Sequence, residues 1–306
     1  MSVTADIARG MSTDEAFQYC ARLTEAHYEN FPVASLLIPD QKRPYIQAIY
    51  AFSRMADDFA DEGDLTKEER LRRLDEWETA LRDCYNGIAT HPVFIALRET
   101  VKQQRIPPEP LLDLIAAFKR DVVQSRYETF ADLLDYCRCS ANPVGRIVLM
   151  IFDHRNDDLF RKSDAICTAL QLTNFWQDVA VDARKDRLYI PLEDMRSHSY
   201  SESSWKKGEY SEEFRNLMKF QVERTRTFFF DGAELPRLVE KELQIELRLV
   251  WFGGMSVLRM LERRKYDIFS RRPSLSLFDK AVILGKGLLT ADPAKLRKKS
   301  KPWDLT

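Results

Sequence analysis

Apolar positions recur every three to four residues along most of the chain, while strict apolar–polar alternation is scarce. That periodicity predicts one helix after another. Ser12-Thr13-Asp14-Glu15 reads as a capping box opening a helix to about Tyr28, which Asn30-Phe31-Pro32 interrupts. A second helix starts near Lys42-Arg43-Pro44 and runs past Asp61 to the turn at Glu62-Gly63-Asp64. Glu68 to Tyr85 is charged and amphipathic, closed by Asn86-Gly87; His91-Pro92 opens the next helix. Pro107-Pro108-Glu109-Pro110 precedes another that ends before Arg126. Phe130–Cys139, Val144–Phe152, Asp164 to about Asp182, Phe214–Phe230, Lys241–Arg264 and Leu277–Leu289 follow. Arg187 to Pro191 is the best short extended piece. The predicted fold class is all-α. With no Gly/Ser/Pro-rich linker and no internal repeat, the reading is a single domain.

Composition narrows the function classes. Of 306 residues 44% are hydrophobic, enough for a packed core. The 47 basic and 48 acidic residues nearly cancel, to a net charge of −1, which argues against a nucleic-acid partner. No apolar run approaches the ~18–20 residues of a membrane-spanning helix, and the start lacks the charged-then-apolar order of a secretory signal. Cys20, Cys84, Cys137, Cys139 and Cys167 lack C-x-x-C spacing, so reduced thiols in a cytoplasmic protein are expected. Only 10 glycines argue against a glycine-rich nucleotide loop.

Two acidic constellations carry the candidate chemistry. In Asp57-Asp58-Phe59-Ala60-Asp61-Glu62, Asp57 and Asp61 stand four apart, so their carboxylates share a helix face. No Lys or Arg follows within a turn, and a divalent cation would relieve the repulsion. Magnesium suits the role because it takes one or two carboxylates plus substrate phosphate oxygens. An acidic helix end facing solvent is the alternative. In the second constellation, Gln171, Asn174, Asp178 and Asp182 form one helical stripe, with Leu172, Phe175, Trp176 and Val179 on the core side. The two helices read as facing metal-binding walls. Arg54, one turn before Asp58, and Arg187, five residues after Asp182, offer guanidinium forks for phosphate oxygens; surface ion pairs are their alternative.

The run Tyr50-Ala-Phe-Ser-Arg54-Met-Ala-Asp57-Asp58-Phe-Ala-Asp61 resembles the first aspartate-rich motif of the squalene/phytoene synthase family. Gln171 to Asp182, followed by Arg187-Leu-Tyr189-Ile-Pro191, resembles the second, and Arg126-Tyr127 through Tyr136-Cys137 the central signature. The resemblance spans roughly residues 15 to 270. It implies an isoprenoid-synthase helical bundle around a cavity, with the core at about 12–290 and a basic tail over 291–306. It also implies that Asp57, Asp58, Asp61, Asn174, Asp178 and Asp182 hold magnesium, with manganese as a substitute, around a prenyl diphosphate. Asp57, Asp61, Asp178 and Asp182 are then catalytic; Tyr50, Arg54, Gln171, Arg187 and Tyr189 bind substrate.

Departures from the general pattern point to one branch. His27-Tyr28-Glu29-Asn30-Phe31-Pro32-Val33-Ala34-Ser35 stands where His-Ser-x-Ser-Phe is common, which adds His27 and Asn30 as substrate contacts. Ser140-Ala141-Asn142-Pro143-Val144-Gly145 replaces Val-Ala-Gly-x-Val-Gly, Gln177 replaces an arginine, and Gly254 replaces a tyrosine near substrate. Together these variants resemble the hydroxysqualene synthase branch of bacterial hopanoid pathways. That branch ionises presqualene diphosphate, rearranges the cation and captures water without NADPH. Asn142 is the candidate for positioning that water; a helix break before Pro143 is its alternative. The resemblance also suggests coupling to other hopanoid-pathway enzymes.

Two further readings stay open: a head-to-head prenyl transferase making presqualene diphosphate, squalene or phytoene, and a non-catalytic helical assembly factor. Near the C-terminus, Phe278, Ala281, Val282, Leu288 and Leu289 recur at helical spacing, followed by Lys295, Arg297, Lys298, Lys299, Lys301 and Trp303. That pattern suits peripheral contact with the inner membrane face. Core packing followed by a loose tail is the other reading.

Overall fold

The computed structural model describes residues 10–26, 38–274, 276–288 and 292–299. The chain begins with α1 (Thr13–Ala26), α2 (Arg43–Asp61), α3 (Lys67–Tyr85), α4 (Pro92–Gln103) and α5 (Glu109–Val123). It continues with α6 (Phe130–Ser140), α7 (Asn142–Ile151), α8 (Asp157–Arg184), α9 (Leu192–Ser197), α10 (Glu202–Lys206) and α11 (Glu212–Asp231). A 3-10 turn at Leu235–Arg237, α12 (Lys241–Arg263), α13 (Leu277–Leu288) and α14 (Pro293–Lys299) complete it. Among the described residues there is no named strand, only an isolated parallel bridge from Arg126 to Leu188. The fold is all-α.

Two compact units emerge. One takes the chain up to Val123 plus Pro143–Asn156; the other takes Gln124–Asn142 plus Asp157 onward. In the first unit α2 packs against α1, α3, α4 and α5. Its buried face is mostly alanine (Ala48, Ala51, Ala56, Ala60), which lets neighbouring helices approach, with Ile49 and Phe52 filling the gaps. Phe52 stacks on Trp77, and Phe59, His91 and Phe94 close an aromatic cluster around that indole. The helix starts are written in sequence. Ser12 and Glu15 exchange hydrogen bonds in the expected capping box, Thr66 Oγ1 accepts from Glu69 N, and His91 Nδ1 accepts from Val93 N.

In the second unit α8 packs against α6, α11 and α12, and α12 against α13. Leu172, Phe175, Trp176 and Val179 are buried as their spacing predicts. Trp176 Nε1 donates to Thr225 Oγ1 at 2.7 Å and Trp251 Nε1 to Phe229 O at 2.7 Å, so these two buried indoles keep a partner.

The spacing predicts α8 from Asp164, whereas the helix begins two turns earlier. Asp157 and Asp158 occupy the true first turn, where acidic side chains suit the helix dipole. The spacing also misses α9, α10 and α14, each seven residues or shorter and below the length at which periodicity is readable. Buried Trp205 anchors α10, and Ser201 caps it.

Candidate functional site

On α2 the structure gathers Tyr50, Arg54, Asp57, Asp58 and Asp61 on the flank turned away from the alanine face. Arg54 is fully engaged there. Its Nη1 lies 3.3 Å from Asp57 Oδ2, and its Nη2 lies 2.6 Å from Asp58 Oδ1 and 3.7 Å from Glu62 Oε1. One guanidinium therefore serves three carboxylates, and its Nε is buried with no hydrogen-bond partner. Burial pushes the Asp57 carboxyl above its usual range. Arg54 opposes that rise, while Asp61, Asp58 and Glu62 add to it. This helix flank thus carries more negative charge than its own cation neutralises. Tyr50 is pushed up as well, by burial first and then by Asp57 and Asp58, against the pull of Arg54.

On α8, Gln171, Asn174, Asp178 and Asp182 form the predicted stripe, half-buried or exposed opposite the core residues. The helix ends in a Schellman turn: Arg187 N donates to Asp182 O at 2.9 Å and Asp186 N to Ala183 O at 3.2 Å. Asp186 takes the left-handed conformation this needs, at φ +53°, which aspartate tolerates better than most residues. The turn returns Arg187 to Asp182, and both line a recess with Phe175, Val179, Tyr189 and Trp205. Tyr189 stacks on Phe175, ring centroids 3.9 Å apart and 9° from parallel. Arg126 secures the segment through Asp186 Oδ1 at 2.8 Å and Glu202 Oε2 at 2.9 Å. Leu188 N then donates to Ser125 O.

The second stripe also holds a residue that sequence reasoning missed. Arg272 grips Asp178 with two hydrogen bonds, Nε to Oδ1 and Nη2 to Oδ2, the latter 3.0 Å. Those bonds raise the Arg272 pKa, and Asp182 adds to the effect. Gln177 Nε2 donates to the carbonyl of Pro273, fastening the same segment. The partners lie 94 residues apart, and the only local signal was the Arg271-Arg272-Pro273 run.

Two further predicted residues make packing and hydrogen-bond contacts of their own. Asn142 opens α7 and is buried; its Oδ1 accepts from Thr168 Oγ1 at 2.9 Å, in keeping with the helix-break reading. Gly254 is a packing glycine, since a Cβ there would lie 2.3 Å from Phe229 Cζ and 3.0 Å from Leu170 Cδ2. The open position is its neighbour Gly253, where a Cβ would meet nothing within 4 Å. His27 and Asn30 lie outside the described residues.

Among the described residues no three His, Cys, Asp or Glu side chains are gathered as a metal cage. The α2 flank nevertheless fits magnesium, which needs few protein ligands when a diphosphate supplies the rest. No helix among the described residues is long and apolar enough to cross a membrane.

Known proteins place these helices in context. The squalene/phytoene synthase family model matches residues 24–279. A phytoene synthase of Arthrospira platensis is 30% identical over 290 residues, 90% of this chain and 94% of that protein. A hydroxysqualene synthase of Zymomonas mobilis is 33% identical over 267 residues, 86% of this chain and 87% of that protein. The crystal structure of squalene synthase HpnC from Alicyclobacillus acidocaldarius is 39% identical at a TM-score of 0.80, covering 83% of this chain and 96% of that one. With the match running through both aspartate helices, the chain belongs to the squalene/phytoene synthase family.

Proposed function

We propose that this protein is a hydroxysqualene synthase. It ionises presqualene diphosphate, rearranges the resulting carbocation and captures water, giving hydroxysqualene and diphosphate without NADPH. The observation that carries the diphosphate chemistry is the excess negative charge on α2, where Asp57, Asp58 and Glu62 share Arg54 and Asp61 adds a further carboxylate that acts on Asp57. The choice among family reactions rests on the Ser140-Ala-Asn142-Pro-Val-Gly145 and Gly253-Gly254 segments. The hydroxysqualene synthase and HpnC likenesses support it.

Asp57, Asp61, Asn174, Asp178 and Asp182 are the residues that would hold magnesium, and Asp58 lies beside them bound to Arg54. When bound, the metal supplies positive charge against the charge growing on the departing diphosphate. The chain's own part is to place Arg54 and Arg187 for phosphate oxygens, and to keep Tyr50, Gln171 and Tyr189 beside the same substrate. The substrate's C–O bond breaks with its electron pair leaving on the diphosphate. Apolar side chains then protect the cation until one water adds.

The test is incubation with presqualene diphosphate and magnesium, without NADPH, in oxygen-18 water. A labelled C30 alcohol is the expected product. Squalene that requires NADPH, or phytoene from a C20 diphosphate, would overturn the reading and favour a head-to-head transferase. The phytoene synthase likeness over 90% of the chain is the observation on that rival's side.

We also propose peripheral contact of α13 with anionic lipid. Ala281, Val282 and Leu288 are exposed, next to exposed Lys280. Burial, together with Arg259 and Arg263, pulls the Lys286 pKa down, so cations collect behind that apolar edge. Phe278's side chain, Leu289, Lys301 and Trp303 lie outside the described residues. Cosedimentation with phosphatidylglycerol vesicles, lost in the double variant V282S/L288S, tests this contact.

A further inference from the structure

Helix α12 carries an ionisable group that neither aspartate motif uses. Glu246 stands seven residues before Gly253, and at 100° per residue it returns to within about 20° of the glycine's bearing. Val250 and Val257 share that stripe with Glu246, and Glu242, one turn earlier, is its exposed polar end. Beside Gly253 there is open space: a Cβ would meet nothing within 4 Å. Gly254, one position on, is filled by Phe229. Glu246 Oε2 is buried and has no hydrogen-bond partner. A buried carboxyl oxygen left unsatisfied is costly and calls for a water or a ligand. Burial alone, with no neighbouring charge contributing, pushes its pKa up to about 7. Such a group takes and gives up a proton near neutrality, as a general base must.

We infer that Glu246 is the base for water capture, holding a water at the open face of Gly253 and taking its proton as the oxygen adds to the carbocation. The inference rests on the hydroxysqualene reading above. In the step, a lone pair of the water oxygen forms the new C–O bond. One O–H bond breaks, its electron pair stays on oxygen, and the proton passes to the Glu246 carboxylate and later to solvent. No oxidant or reductant is consumed. Several other polar groups are engaged: Arg272 holds Asp178, Arg54 holds Asp57 and Asp58, and Asn142 Oδ1 is bonded to Thr168, whereas Ser140 Oγ, like Glu246 Oε2, is buried with no hydrogen-bond partner.

The experiment compares full-length wild type, E246Q, E246D and G253V with presqualene diphosphate and magnesium in oxygen-18 water. It reads diphosphate release, the ratio of labelled alcohol to hydrocarbon, and Tm. In E246Q the alcohol fraction is expected to fall about tenfold or more, the cation losing a proton instead, while diphosphate release falls by no more than about threefold. E246D restores part of the alcohol, and G253V lowers it by filling the water's place. Because glutamine removes a buried ionisable group, E246Q should melt no lower than wild type. An unchanged alcohol fraction in E246Q, or alcohol and diphosphate release falling together, overturns the inference. If E246Q does not fold, E246D and G253V carry the same comparison. Wild type that makes no alcohol at all overturns the hydroxysqualene reading itself, and this inference with it.

Discussion

Helices α2 and α8 present the same motif, aspartates one turn apart, and solve its electrostatic problem in opposite ways. On α2 the counter-charge is local: Arg54 reaches Asp57 and Asp58 from three and four residues away. It serves three carboxylates at once, and burial, with Asp61, Asp58 and Glu62 adding to it, keeps Asp57 above its usual pKa. On α8 the counter-charge is remote: Arg272 arrives from another part of the chain and matches Asp178 with a two-pronged grip. On α2 one guanidinium is divided among three carboxylates, whereas on α8 a guanidinium from a separate segment gives both arms of its fork to one carboxylate. The α2 flank is therefore the one left needing outside charge.

The largest expected effect tests whether both helices serve one reaction. D57A and D178A should each cut turnover about 1,000-fold, consistent with losing several kcal/mol of charge stabilisation, with circular dichroism unchanged. Near-normal turnover in one of them would leave a single working aspartate helix. Calorimetric titration with magnesium alone sharpens the contrast. The heat should vanish in D57N/D61N and persist in D178N, because Arg54 is shared among three carboxylates on α2 whereas Asp178 already holds both arms of Arg272. The opposite order would break the comparison.

Glu246 offers a third arrangement, a carboxyl with no counter-charge at all. Its folded pKa of about 7 exceeds the ordinary 4.5, so between those values the folded protein keeps a proton that the unfolded chain has released. Its effect on stability therefore becomes less favourable as pH rises through that window. Above it, the buried carboxylate costs on the order of 3 kcal/mol at most. E246Q should accordingly melt higher than wild type at pH 8 and match it near pH 4.5; equal Tm differences at both would contradict this.

Gly253 and Gly254 make a smaller contrast within one helix. G254A should destabilise by about 1–3 kcal/mol, because the fully buried Phe229 ring must move. G253A should be neutral or stabilising by up to about 1 kcal/mol through helix propensity. Urea melts distinguish them.

The smallest effects come from the arginines. R54Q and R272Q should each cost under about 1 kcal/mol, since both pairs are partly exposed. Their footprints in hydrogen exchange should nonetheless differ. R54Q should affect α2 alone, whereas R272Q should speed exchange over residues 266–274, which Arg272 and Gln177 fasten to α8. Identical footprints would erase the difference between local and remote wiring.

The same distinction explains what could be read from the sequence. Helical spacing is local, so the all-α fold, the Ser12 capping box, the acidic flank of α2 and the polar stripe of α8 followed from periodicity. Arg272 on Asp178 and Thr168 on Asn142 depend on contacts 94 and 26 residues apart, which no periodic pattern encodes. Nor does spacing distinguish two adjacent glycines: the missing Cβ of Gly254 makes room for Phe229, whereas a Cβ at Gly253 would meet nothing within 4 Å.

The weave of the chain bears on how the protein is made. The first compact unit takes Pro143–Asn156 from beyond the start of the second, so residues 124–142 are synthesised while the first is still missing a helix. A ribosome adding about 5–20 residues per second needs roughly 2–7 s for the 33 residues from Gln124 to Asn156. During that interval the nascent N-terminal helices wait with the α7 position empty. Emergence of α7, rather than of Val123, sets the earliest moment for the first unit to close. A ribosome-stalled series should gain protease resistance at the later length.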